Sequence, residues 1–160
     1  MLRLATTDDI STLRDLAHAI WWAHYPGIIP PEQIEYMLDL MYSTEALRRQ
    51  MVEERVQFWL VESDALPIGF IAVGSQDTGL YFVHKFYLQR AIQGRGLGAA
   101  AFHALLERYP ELRELRLTVN RQNFKSINFY FKIGFRIEKC VDVPIGRGFV
   151  MNDFVMVWQK

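Results

Sequence analysis

Residues 88–102 read "LQRAIQGRGLGAAAF", a polar, glycine-punctuated turn set between an apolar run and a helix-like run. Glycines alternate through it at Gly94, Gly96 and Gly98. Glycine has no Cβ and adopts dihedrals that other residues avoid, so such a loop can lay bare backbone against a ligand. The loop runs straight into a helix, whose first N–H groups have no intrahelical acceptors and whose dipole favours an anion. A phosphate is the ligand this points to.

Three phosphate-binding patterns compete for "QGRGLGAA". The P-loop fails, because no Gly-Lys-Ser/Thr follows. The dinucleotide fingerprint is met loosely by Gly94, Gly96 and Ala99, but it requires an acidic residue about 20 positions on, and there is none around Thr118. Several antiparallel-looking strands also precede the loop, whereas the dinucleotide fold begins with it. A pyrophosphate loop of the form Gln/Arg-x-x-Gly-x-Gly/Ala is met by Gln93, Gly96 and Gly98. A tight turn that needs glycines for its own sake stands beside it.

Outward from the loop, the composition sets bounds. The 160 residues, 51% of them hydrophobic, suit one globular domain spanning residues 1–160 with a substantial core. Eighteen basic and eighteen acidic residues cancel, so the broad positive field that nucleic acid requires is not expected. The single cysteine, Cys140, excludes an intrachain disulfide and fits a reducing cytoplasm. Paired Cys-x-x-Cys or His-x-x-x-His ligands do not occur, so no metal is expected. The start "MLRLATTDDIS" lacks a basic segment followed by an apolar stretch, and no apolar run approaches the roughly 20 residues that span a bilayer. We expect neither export nor a membrane partner.

Along the chain, "LRLA" (2–5) predicts a short strand, and Thr6 or Thr7 caps a helix with Asp8 and Asp9 in its first turn. Leu13, Leu16, Ala17 and Ile20 recur at helical spacing after Ile10, with the helix fading before "HYPGIIPP". Pro30 or Pro31 opens a second helix, "PEQIEYMLDLMY", and Ser43 or Thr44 caps a third. The rhythm then changes: "VQFWLVE", "PIGFIAVGS" and "GLYFVHKFYL" predict an antiparallel meander. After the glycine loop come a helix over 97–108, the strand "LRELRLTV", a helix over about 124–133, and strands near 135–143 and 149–158. The fold class expected is α+β, a mixed, mostly antiparallel sheet of about seven strands flanked by helices, with one strand-helix-strand crossover.

A second motif follows at residues 119–135, "VNRQNFKSINFYFKIGF". Asn123, Ser126 and Tyr130 stand at offsets of three, four and seven, which a helix returns to one face. Asn123 is also a good N-cap and Gly134 a good residue just past the helix end, independently of any function. Together with the glycine loop, this segment resembles the GNAT-type N-acetyltransferase superfamily, with Asn-x-x-Ala-x-x-x-Tyr-x-x-x-Gly-Phe met except for serine at 126. "IWWAHYPGIIPPEQIEYML" and "MNDFVM" look more finely like a bacterial branch that includes polyamine acetyltransferases.

The resemblance implies the acyl-CoA N-acyltransferase fold, with a parallel strand pair splayed at the cofactor cleft, and transfer of an acetyl group from acetyl-CoA to a small-molecule amine or a peptide amino group. It implies that the amides of Gln93, Gly94, Arg95, Gly96, Leu97 and Gly98 hold the pyrophosphate, with Arg90 beside them. It also implies that Leu88 N–H meets the thioester oxygen, that Asn123 and Ser126 line the pantetheine, and that Tyr130 protonates the leaving thiolate. A tyrosine packed in the core beside Phe129 and Phe131 is the plainer reading of that last residue. Homodimers are common in the superfamily, and the terminal strands joined by "VPIGRG" offer a hairpin for pairing.

For the base, strand alternation places Phe82, His84, Phe86 and Leu88 on one face, so His84 is an imidazole among apolar neighbours, acting through water. Cys140 is expected in the core. Trp22 and Tyr25, with Trp21, His24 and Pro26, are candidates for an amine pocket by cation–π contact or for plain helix packing, and Glu32 and Glu35 for attraction of a cation. A non-catalytic acyl-CoA sensor or interaction module is the alternative from another class, and a nucleotide-binding protein a third.

Overall fold

Local chemistry sets the helix starts. In the computed structural model, which describes residues 1–92 and 94–160, Thr6 and Asp9 form a capping box around a 3-10 turn at Thr7–Asp9. Thr6 Oγ1 accepts from Asp8 N at 3.3 Å, and Thr6 N donates to Asp9 Oδ2 at 2.9 Å. The turn feeds α1 (Ile10–His24), which buries Ile10, Leu13, Leu16, Ala17, Ile20 and Trp21. Pro31 opens α2 (Pro31–Tyr42), where its missing N–H costs nothing. Ser43 caps α3 (Thr44–Val52), its Oγ accepting from Ala46 N at 3.2 Å. α4 (Leu97–Arg108) and α5 (Phe124–Lys132) complete the helices. The first ends at His24, one residue later than its sequence suggests.

The strands are β1 (Leu2–Leu4), β2 (Gln57–Ser63), β3 (Leu66–Asp77), β4 (Leu80–Leu88), β5 (Glu114–Asn120), β6 (Arg136–Gly146) and β7 (Phe149–Gln159). They hydrogen-bond in the order β1-β2-β3-β4-β5-β7-β6. β1, β2 and β3 pair antiparallel, as do β5 with β7 and β7 with β6. β3 and β4 are joined by Thr78 and Gly79 alone, a connection that only antiparallel strands permit. β4 and β5 are the parallel pair, in register from Leu80↔Glu114 to Val83↔Leu117. The expected α+β, mostly antiparallel class is the one found.

Two compact units divide the chain: Met1–Gly74 with Lys85–Pro110, and Ser75–His84 with Glu111–Lys160. In the first, Leu13, Ile34, Leu47, Phe58, Leu60, Phe70, Ile71 and Leu105 are fully buried, and α1, α2 and α3 pack on one another. In the second, Leu115, Leu117, Val119 and Met156 make one sheet face apolar, and Ile127, Tyr130 and Phe135 are buried too.

One expectation is overturned. Cys140 is exposed rather than in the core. It lies on β6, the last strand in the order, where nearly every side chain is exposed, so alternation there does not mark an inner face.

Candidate active site

The glycine loop leads the first unit's share of the expected site. Gly94 and Gly96 have φ of 87° and 75°, and among the described residues nothing lies within 4 Å of where a Cβ would stand on either. Their requirement is therefore the left-handed backbone rather than crowding, and the space over them is open. Gly96 is the N-cap of α4 with no side-chain cap. The first helical bond runs from Ala100 N to Gly96 O at 3.0 Å, so the N–H groups of Leu97, Gly98 and Ala99 precede the ladder. An uncapped, positive helix end behind open glycines is suited to a diphosphate. Arg95 is exposed at this loop, whereas Arg90 turns back to donate to Ala23 O at 3.4 Å, placing its charge at the end of α1. Gln93 lies outside the described residues.

Before the loop, β4 ends close against Gly69. A Cβ on Gly69 would come within 2.2 Å of Tyr87 O and 2.9 Å of Leu88 Cα. A Cβ stands off the sheet face, so an oxygen that near it lies off that face as well. Tyr87 O thus leans over Gly69, and the trans peptide aims Leu88 N–H the opposite way from it. Just beyond, Gln89 N donates to Ile68 O at 2.9 Å. Gly69 is what lets this oxygen come so near.

Around it the first unit gathers aromatic rings. Tyr25 and Tyr87 bring their hydroxyls to 3.4 Å, and Trp21 lies 4.4 Å from Tyr25 and 6.0 Å from Tyr87 between centroids. Trp22 faces outward, 40% exposed, and lines a groove of about 650 Å³ between α1 and α2. Asp15, Glu35 and Asp39 line the same groove with Arg14 and His18. Tyr25 and Trp22, paired in the sequence reading, thus serve different surroundings.

Lys85 is the ionisable residue of β4 that sequence reasoning missed. It is 6% exposed, and its Nζ donates to Gln50 Oε1 at 2.6 Å. The ammonium also lies 5.2 Å from the Tyr42 ring and 5.6 Å from that of Phe58. Gln50 is held in turn by donating Nε2 to Met41 O at 2.8 Å. Burial pulls the Lys85 ammonium from 10.5 down to about 8, against a small opposing pull from Glu54. Between these values the unfolded chain holds a proton that the folded chain has released, so stability rises with pH across that window. The gain is up to ~3 kcal/mol. Urea midpoints measured from below pH 8 to above pH 10 should show this rise, and Lys85→Met should flatten it.

In the second unit, Asn123 caps α5 as its sequence suggests, Oδ1 accepting from Ser126 N at 3.3 Å. Asn123 and Tyr130 are buried and Ser126 half-buried, so the three share an inward face of α5. Tyr130 packs 5.5 Å from Phe129 and 5.6 Å from Phe135 between centroids. His84 is exposed, its ring 5.1 Å from that of Phe82. Phe82 and Phe86, its neighbours on that face of β4, are half-buried beside it. A second missed group is Asp153 on β7, 4% exposed, whose carboxyl burial pushes up to about 6. A lone carboxylate inside "MNDFVMVW" was its signal. Among the described residues no cluster of His, Cys, Asp or Glu is arranged to hold a metal, and no helix is long and apolar enough to cross a membrane.

The chain is similar to known proteins in sequence and in fold. Residues 29–149 match the family described as acetyltransferase (GNAT) domain. The spermidine N(1)-acetyltransferase of Thermoplasma acidophilum is 29% identical over 146 residues, covering 86% of this chain and 88% of the relative. Escherichia coli peptidyl-lysine N-acetyltransferase YjaB is 25% identical over 140 residues, 87% of each. The crystal structure of PaiA N-acetyltransferase from Thermoplasma acidophilum in complex with coenzyme A superposes with a TM-score of 0.81 at 26% identity, covering 100% of this chain and 98% of that one.

Proposed function

The chain belongs to the GNAT acetyltransferase family, and from that premise we propose that its 160 residues act as one catalytic domain that moves the acetyl group of acetyl-CoA to a primary amine by direct attack in a ternary complex. The observation that carries the reading is the uncapped α4 N-terminus behind open, left-handed Gly94 and Gly96. Amides from Gly94 to Gly98 take the diphosphate there, with Arg95 adding charge. Asn123 and Ser126 hold the pantetheine arm by hydrogen bonds.

A thioester is already activated, so the protein has to aim a neutral amine and manage two charges. Leu88 N–H donates to the acyl oxygen as it gains negative charge. His84 takes the amine proton through water, and the Tyr130 hydroxyl gives one to the departing sulfur. Its relatives named for spermidine and for peptidyl-lysine both act on primary amines, and the groove with Asp15, Glu35 and Asp39 provides negative charge for a cationic acceptor. Trp22 at that groove and Tyr25 beside Tyr87 are the aromatic contacts. The reaction is placed in the cytoplasm, in a homodimer joined through the exposed edge of β6.

The test is thiol release from acetyl-CoA by purified protein with polyamines, amino acids and lysine peptides, the product confirmed by mass. At least one primary amine is expected to be acetylated, by protein that light scattering shows as a dimer. Tight binding of coenzyme A with no product from any acceptor would instead indicate a sensor, and a monomer would remove the β6 contact.

A further inference from the structure

The second unit carries a buried carboxyl group that the mechanism above leaves unused. Asp153 sits on β7 with Asn120 of β5 on one side and Val141 of β6 on the other. Carboxylates this deep are rare unless paired. The cation that acts on it, Arg121, is itself engaged elsewhere, donating to Asp142 Oδ1 at 2.7 Å and to Val141 O at 3.3 Å. The Thr118 side chain also acts on it, favouring the ionised form.

Strand register shows what shares this face. Val83 pairs with Leu117 as the last pair of the β4–β5 ladder, so His84 and Thr118, each one residue on, point to the other side of the sheet. Thr118 pairs with Val155 and Asn120 with Asp153, which puts Asp153 on that same side and diagonal to Thr118. An exposed imidazole, an exposed hydroxyl and a buried carboxyl therefore run in sequence across β4, β5 and β7. The other charges on this face are Glu114, Arg116 and Glu138, which pair among themselves, and Arg136, Lys139 and Arg121 at the β6 side. Val83, Leu117, Val119 and Met156 fill the reverse face.

We propose that Thr118 and Asp153 are positioning residues that relay a proton behind His84, an inference that rests on the acetyl-transfer reading. The amine nitrogen bonds to the acyl carbon as the carbon–sulfur bond breaks, and sulfur leaves with the electron pair and takes the Tyr130 proton. The proton lost from nitrogen reaches the imidazole. Thr118 Oγ1 accepts from that imidazole while its own hydroxyl proton moves to the Asp153 carboxylate, so threonine gains no charge. Burial that holds the carboxyl near 6 keeps it ionised at neutral pH yet more basic than an exposed aspartate, as a proton acceptor requires.

A carboxyl kept only for structure behaves differently. Here the folded value lies above the unfolded 3.8, so the stabilising contribution is present below that pH and lost as pH rises through about 6. Asp153→Asn should therefore raise Tm at neutral pH while lowering turnover.

The experiment has two arms on the full chain. In the first, which needs no acceptor, proton NMR follows the His84 titration. Its midpoint should fall by about 0.3 pH unit or more in Asp153→Asn, where a nearby negative charge is lost, and should stay near wild type in Thr118→Ser. In the second, pH–rate profiles use an amine that wild type acetylates. Asp153→Asn and Thr118→Val should lower kcat about 10-fold or more with KM little changed, and should displace the acid limb. Thr118→Ser should restore most of the rate. An unmoved His84 midpoint, or wild-type kcat in both variants, overturns the relay. Wild type inactive with every amine defeats the acetyl-transfer reading, and the NMR arm then decides the coupling by itself.

Discussion

Tyr130→Phe should lower kcat for acetyl transfer by about 10²-fold, the lower range for a lost general acid, and leave Tm nearly unchanged. The ring is buried against Phe129 and Phe135, and phenylalanine reproduces that packing. What the substitution removes is the hydroxyl alone. Without a donor, sulfur must depart as a bare thiolate, so KM for acetyl-CoA should hardly change while kcat and kcat/KM fall together. Steady-state kinetics across pH, with thermal melts alongside, measures all of this. Turnover within twofold of wild type would leave Tyr130 as a packing residue only.

Gly69→Ala is the second substitution with a large effect, and it acts at a distance from any reacting atom. The new Cβ would meet Tyr87 O at 2.2 Å and Leu88 Cα at 2.9 Å, both backbone atoms with no rotamer to escape into. Either the peptide swings back or β3 and β4 part locally, at a cost of about 2–4 kcal/mol. Both responses move Leu88 N–H, and an error of ~1 Å in a positioned group can cost about 10²-fold in rate. The glycine loop and α4 lie outside this contact, so coenzyme A binding by calorimetry should persist. Lost turnover with retained binding is the expected pair of results. Full turnover in a stable variant would remove the Leu88 amide from the reaction.

The sequence was most legible where one residue does one local job. Pro31 and Asn123 mark helix starts because a missing N–H and a short amide side chain suit those positions alone. Gly94 and Gly96 announced a left-handed loop for the same reason. Strand order was less accessible: nothing local to β6 or β7 says that the later strand inserts beside β5 and leaves the earlier one at the edge. Cys140 was misplaced on that account. Charged side chains on alternating strands were the other blind spot. Period two puts Lys85 on the side of Val83 and Tyr87, yet lysine reads as solvent-facing until the fold supplies Gln50 as acceptor. Asp153 was hidden likewise, because Thr118 reaches it only through the β5–β7 register.

The exposed position of Cys140 bears on how turnover is measured. As the chain's one thiol, standing on an open strand edge, it should react with a disulfide reagent used to detect liberated coenzyme. Each such sulfur that the β6 pairing proposed above leaves uncovered then contributes one equivalent of colour in an initial burst before any catalytic signal. A fluorophore attached at the same sulfur would sit away from the buried interior and report on whatever approaches that edge.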